Sequence, residues 1–133
     1  LETNFNGTLN ILEAMRKHNV NVWLINTGWS GGAYGTGERI KLRYTRAMIT
    51  AALTGKLNNV AYETHPIFGL AMPTSCENVP AEILNPRNTW QDKTAYDHKA
   101  NELAAAFVKN FEKFADFANE EIMAAAPKVS VNA

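Results

Sequence analysis

The chain has 133 residues, 46% of them hydrophobic and 20% charged, with thirteen basic residues balanced by thirteen acidic ones. That length suits one domain with a real core, since a chain of this size buries roughly two-thirds of its unfolded surface. A net charge of zero gives no drive toward nucleic acid or an anionic membrane, no run approaches the roughly 18 apolar residues of a membrane span, and the lone Cys76 permits no intramolecular disulfide.

The N-terminal LETNFNGTLN lacks the basic and apolar regions of a signal peptide, so a cytoplasmic address is expected. Residues 5–18 read as an amphipathic helix, with Phe5, Leu9, Leu12 and Met15 on one face and Glu13, Arg16 and Lys17 on the other. Residues 20–27, VNVWLINT, carry the β-branched, aromatic and aliphatic run of a buried strand. Composition then changes: GWSGGAYGTG, residues 28–37, holds five of the eight glycines and reads as an irregular loop.

Helical spacing returns over residues 42–53, aligning Leu42, Thr45, Ile49, Ala52 and Leu53, with Gly55 as the stop. Residues 60–72 are apolar but broken by Pro66 and Gly69, which predicts short strands or extended segments. Pro73, Pro80 and Pro86 make residues 73–89 a long ordered loop or pair of turns, with Cys76 an unremarkable thiol at its surface. From about Asp92 to Phe117 the spacing of Tyr96, Ala100, Leu103, Phe107, Phe111 and Phe114 is strongly helical, and a short helix over residues 120–126 follows. The fold class is therefore α/β or α+β, with short strands and three to four helices.

The glycine-rich loop between a strand and a helix is the strongest functional signal. Backbone stripped of side chains can present N–H groups to an anion or lie against a planar ligand, while the plainer reading is a connection that turns a corner. Gly32 to Arg39 has the outer spacing of a phosphate-binding P-loop, but Glu38 stands where its lysine belongs and Arg39 where its hydroxyl belongs. Gly35-Thr36-Gly37 is followed by Ile40 rather than the third glycine of a dinucleotide fingerprint. His18, His65 and His98 are scattered, with none at metal-ligand spacing; His65, before Pro66, reads as structural. Ser30 and Ser75 lie in loops outside any nucleophile elbow, and no tyrosine is followed four residues later by lysine. Arg39, Lys41, Arg43 and Arg46 cluster at the start of the second helix, as a solvated face or as contacts to a nucleotide's phosphates or ribose.

The stretch VWLINTGWSGGAYGTGERIKLRYTRAMITAALTGKL resembles a segment of the ATP-dependent phosphoenolpyruvate carboxykinases. The likeness continues through PIFGLAMPTS, VPAEILNPRNTW and the helix bearing AAAFVKNFEKF, over about residues 19–128. It implies the C-terminal part of that family's mononucleotide-binding domain. The implied reaction is conversion of oxaloacetate and ATP to phosphoenolpyruvate, ADP and carbon dioxide, a decarboxylation in gluconeogenesis that uses magnesium with manganese or a similar ion. Within the R-I-x-[IL]-x-x-T run, the resemblance assigns nucleotide contacts to Arg39, Ile40 and Thr45. A guanidinium can stack on or bond to the nucleotide, an aliphatic side chain can pack on adenine, and a hydroxyl can bond the base edge.

Glu38 departs from the lysine the family commonly has there. The resemblance also implies that the P-loop, the metal ligands and the oxaloacetate-binding arginine belong to an upstream part of the enzyme missing from these residues. The chain's partners are then a small-molecule nucleotide and that upstream part. No catalytic or metal-ligating residue is assigned, and the isolated chain is expected to be inactive. Residues 1–18 are set apart as an N-terminal helix of uncertain origin, NFNGTLNILEAMR resembling a helix of the extended short-chain dehydrogenase/epimerase family, and residues 19–133 form the carboxykinase part. A non-catalytic nucleotide-binding module and a piece of an NAD(P)-dependent epimerase remain as alternatives.

Overall fold

A computed structural model describes residues 21–129 together with Met15, Lys17 and His18. The three isolated positions are helical, and the rest of the helix expected over residues 5–18 lies outside the described residues. The architecture is mixed, with five α-helices and two small antiparallel sheets among the described residues.

The strand expected over residues 20–27 is not formed. Residues 21–27 run without regular structure, and neither sheet includes them. A strand exists only through a partner's hydrogen bonds, and none of the described strands pairs with this apolar segment. The glycine-rich stretch is more ordered than a loop: β1 (Trp29–Ser30) and β2 (Glu38–Arg39) pair antiparallel, Trp29 opposite Arg39 and Ser30 opposite Glu38.

Helix α1 (Leu42–Leu53) has the expected bounds. It ends where Gly55 takes the left-handed conformation, φ 72°, and donates to the Ala52 carbonyl at 3.3 Å. Its face is rotated from the expected one. Thr45 and Ala51 are buried, with Tyr44, Ala47, Met48 and Ala52 packed around the same core, while Leu42, Ile49 and Leu53 are exposed. A 3₁₀ turn (Lys56–Asn59) brings Leu57 under this helix.

The extended segments expected over residues 60–72 are β3 (Tyr62–Thr64) and β4 (Ala71–Pro73), paired with Glu63 opposite Met72. Residues 73–89 depart from a plain loop. Cys76 is buried, not at the surface, in a cluster with Ala51, Leu57 and Val79. Two single-turn helices follow, α2 (Ala81–Leu84) and α3 (Pro86–Thr89). Asn85 starts the second of these, its Oδ1 accepting from the Arg87 N–H at 3.1 Å with Pro86 in the first helical position.

Helix α4 (Lys93–Phe111) begins at Asp92, whose Oδ1 accepts from the Thr94 and Ala95 N–H groups at 2.8 and 3.0 Å. It runs into a 3₁₀ segment (Glu112–Phe117), and α5 (Glu120–Ala124) follows behind an Asn119 cap. Its buried line is Tyr96, Ala100 and Ala104, four residues apart, against Ile67, Phe68 and Trp90. The larger Leu103 and Phe107 of the expected stripe remain about half exposed. Ala100 and Ala104 let the helix approach the 65–68 turn closely, with Tyr96 against His65 and Phe107 edge to face with the Phe68 ring, 6.3 Å between centroids.

Candidate functional site

The glycine-rich hairpin and the start of α1 form one corner. Asn26 shapes its entrance, its Oδ1 accepting from the Gly28 N–H at 2.9 Å and its Nδ2 donating to the Trp29 carbonyl at 3.3 Å. The tip closes through the Ala33 carbonyl, which accepts from the Thr36 and Gly37 N–H groups at 3.0 and 2.8 Å. The Ile40 N–H donates to the Gly28 carbonyl at 2.9 Å, fixing where the chain leaves β2 for the helix.

This corner is anchored to the 85–90 turn, far away in sequence. The Ser30 hydroxyl donates to Thr89 Oγ1 at 2.9 Å, and the Thr89 hydroxyl donates to the Pro86 carbonyl at 2.7 Å. Gly31, at φ +82°, lies so close that a Cβ there would stand 2.8 Å from the Thr89 carbonyl oxygen. The turn is held to α4 in its own right. Lys93 Nζ donates to the carbonyls of Arg87, Asn88 and Trp90 at 3.0, 2.9 and 2.7 Å. Arg87 makes a two-pronged pair with Asp97, Nε to Oδ1 at 2.8 Å and Nη2 to Oδ2 at 2.9 Å. The guanidinium's hydrogen bonds hold the Asp97 carboxyl below its usual range, and the carboxylate raises Arg87 in turn.

Behind the corner lies a hollow of about 1120 Å³. Residues 21–27 border it on one side; Ile40, Met48, Phe68, Met72 and Ile83 are among the side chains that complete it. The polar groups reaching it include His65 and Tyr96. His65 is buried, and its Nδ1 accepts from the Ile67 and Phe68 N–H groups, both at 3.2 Å. The ring is thereby the neutral Nε2–H tautomer, which donates to the Tyr96 hydroxyl oxygen at 2.8 Å. Burial lowers the His65 pKa and, first among its causes, raises that of Tyr96. The structural role expected for His65 is the one its contacts describe.

Of the three residues assigned by resemblance, Ile40 is half-buried and lines this hollow. Arg39 is exposed on β2, opposite Trp29, and Thr45 is buried in the first turn of α1. A smaller hollow of about 470 Å³ is lined by Arg43, Tyr44, Asn78, Val79 and Pro80. Neither hollow is lined by all three residues. Within the basic cluster, Arg43 lies over the Tyr44 ring, 4.7 Å from its centroid, and donates to the Tyr44 hydroxyl at 2.7 Å. Arg39, Lys41 and Arg46 are exposed. The Ser30–Thr89 contact, 59 positions apart, has no local signal by which sequence reasoning finds it.

Among the described residues no group of three or more His, Cys, Asp and Glu side chains is placed to hold a metal ion. Nor is any described helix long and apolar enough to cross a membrane.

Comparison with known proteins bears directly on this corner. The phosphoenolpyruvate carboxykinase family profile matches residues 5–82, beginning inside the N-terminal stretch set apart above. The chain is 67% identical over 113 residues to the phosphoenolpyruvate carboxykinase (ATP) of Flavobacterium johnsoniae, covering 85% of this chain and 21% of that protein. It is 65% identical over 113 residues to the enzyme of the same name from Christiangramia forsetii, with the same two coverages. It is 52% identical over 121 residues to the one from Rhodopseudomonas palustris strain TIE-1, covering 91% of this chain and 22% of that protein. The chain thus spans about a fifth of the length of these curated relatives. The profile match takes in the whole glycine-rich hairpin and α1, and on that match the chain belongs to the ATP-dependent phosphoenolpyruvate carboxykinase family.

Proposed function

We propose that this chain is the nucleotide-side segment of a cytoplasmic carboxykinase that converts oxaloacetate and ATP to phosphoenolpyruvate, ADP and carbon dioxide. In this reading the rest of the enzyme supplies the phosphate cradle and the divalent-ion ligands, and no chemical step is assigned to a residue of this chain. Arg39, Ile40 and Thr45 contribute the adenine and ribose side.

The observation that carries the reading is the hairpin-to-helix corner. Arg39 and Ile40 leave the hairpin where the Ile40 N–H is tied to the Gly28 carbonyl, and Thr45 follows in the first helical turn with its N–H directed at the Lys41 carbonyl at 3.3 Å. Three residues of the required types therefore lie along one stretch of backbone already fixed by hydrogen bonds, which reduces the ordering that nucleotide binding demands. Ile40 offers an aliphatic surface to a planar ring, Arg39 a cation with five donors, and Thr45 a hydroxyl that both donates and accepts. Glu38 fits this arrangement. Successive residues of a strand point to opposite faces, so its carboxylate is turned from the side on which Arg39 projects.

The test is a ¹H–¹⁵N chemical-shift titration of the isolated chain with ATP, with inorganic phosphate as the control. The expected result is weak, saturable shifts centred on Arg39, Ile40 and Thr45, reduced at least tenfold in apparent affinity by Ile40→Ala together with Arg39→Ala. Shifts confined to other residues, or equal shifts with phosphate alone, overturn the assignment. Phosphoenolpyruvate formation by the isolated chain from oxaloacetate, ATP and manganese would overturn the division of labour.

A further inference from the structure

Residues 21–25, NVWLI, are uncharged, run without regular structure, and make no ladder hydrogen bond among the described residues. Their side chains nevertheless alternate as a strand's do. Trp23 and Ile25 are half-buried, with Trp23 packed on the Ala51–Leu57–Cys76–Val79 cluster and its ring centroid 6.4 Å from that of Tyr62. Val22 and Leu24 are 68% and 86% exposed. A backbone with free N–H and C=O groups is a template for another strand. Apolar side chains on both faces belong to a strand covered on both sides. Here one face is covered and the other is bare, beside an apolar hollow of about 1120 Å³.

We infer that residues 21–25 are the acceptor edge for a β-strand contributed by the part of the carboxykinase outside these 133 residues, with Val22 and Leu24 seated under a second layer from the same source. The inference rests on the carboxykinase reading, because that enzyme is the occupant. The matched relatives are nearly five times as long as the stretch they share with this chain, which leaves ample chain to supply both a strand and a covering layer. A second copy of this chain fits less well. Edge-to-edge pairing of two copies lengthens a sheet but places nothing over the face that carries Val22 and Leu24.

The experiment mixes this chain with a polypeptide comprising the Flavobacterium johnsoniae enzyme outside its matched stretch, and reads association by sedimentation and backbone protection by hydrogen exchange. The same exchange is read in a single-chain chimera in which this sequence replaces the matched stretch, so the result does not depend on the remainder folding by itself. Exchange at residues 22–25 is expected to slow at least tenfold in the complex and in the chimera. Leu24→Pro, which removes a donor, and Leu24→Lys, which puts a charge on the bare face, are each expected to weaken association at least tenfold while leaving the melting temperature of the isolated chain unchanged.

Exchange in the chimera as fast as in the free chain overturns the inference. So does concentration-dependent protection of these amides in the chain alone, which would make a second copy the occupant. The ATP titration separates the two readings. A lost nucleotide response with the edge protected removes the adenine assignment only. A retained response with the edge unprotected removes this inference only.

Discussion

Replacing Gly37 by alanine puts a methyl group against three backbone atoms of its own hairpin. A Cβ there would stand 2.5 Å from the Gly32 oxygen, 2.6 Å from the Ser30 oxygen and 2.8 Å from the Gly32 nitrogen. Comfortable heavy-atom contact lies near roughly 3.5 Å, so the two arms of the hairpin must separate by about 1 Å. No side chain can swing aside to absorb this, which places the change at the upper end of overpacking, about 3 kcal/mol. Gly35 is the internal control. Its φ is +91° but nothing lies within 4 Å of its would-be Cβ. Alanine at Gly35 therefore meets only the left-handed backbone penalty of about 1–2 kcal/mol, reduced by the lower entropy of its unfolded chain. Thermal unfolding followed by circular dichroism is expected to show Gly37→Ala melting about 10 °C below the parent and Gly35→Ala about 4 °C below it, taking roughly 3–5 °C per kcal/mol for a chain of this length. Opening the hairpin also pulls Arg39 away from Trp29, so Gly37→Ala should weaken the ATP shifts at Arg39 and Gly35→Ala should not. Equal destabilisation by the two variants, or a larger effect at Gly35, would refute the crowding argument.

Four other outcomes follow from particular contacts. His65 has a folded pKa below the ordinary value of about 6.5, so the unfolded chain takes up the proton first; its contribution is intact above about pH 6.5 and is lost as pH falls below it. Urea midpoints at pH 7.5 and 5.5 should therefore differ in the parent, and the difference should shrink in His65→Gln. Thr89→Val leaves the Ser30 hydroxyl without its acceptor and is expected to lower stability by about 1–2 kcal/mol in urea melts, with Thr89→Ser recovering most of it. Asp92→Ala removes the acceptor for two N–H groups at the start of α4 and is expected to lower stability by about 1 kcal/mol, read as a shifted urea midpoint with an unchanged slope. Cys76 has its thiol pKa raised by burial first and by Glu77 second, so it should react with a thiol-specific disulfide reagent at pH 8 at least tenfold more slowly in the folded chain than in urea.

What the sequence could and could not disclose divides along a physical line. Helix α1 was legible to the residue because helical spacing ends at a glycine, and both signals are local. The start of α4 was legible for the same reason, Asp92 being both a good cap and the first break in the pattern. The assignment of Arg39, Ile40 and Thr45 rests on resemblance alone; nothing in their spacing distinguishes a nucleotide contact from an ordinary helix start. Ser30–Thr89, the buried Cys76 and the His65–Tyr96 bond join segments distant in the chain, and local pattern carries no record of such pairings. The most informative departures are the faces. Leu42, Ile49 and Leu53 on α1, and Leu103 and Phe107 on α4, were expected inside and are exposed, while Tyr44, Met48 and Ala51 on α1 and Tyr96, Ala100 and Ala104 on α4 take the inner side. Periodicity identifies an apolar face by contrast with a polar one, and it loses its direction when both sides of an element are apolar. The same holds for residues 21–25, with Trp23 and Ile25 on one side and Val22 and Leu24 on the other. A chain that turned all these faces to water would carry a large uncompensated apolar surface. Under the inference drawn for residues 21–25, one cause accounts for the unformed strand and the rotated faces alike: these segments are patterned for layers that the rest of a carboxykinase supplies.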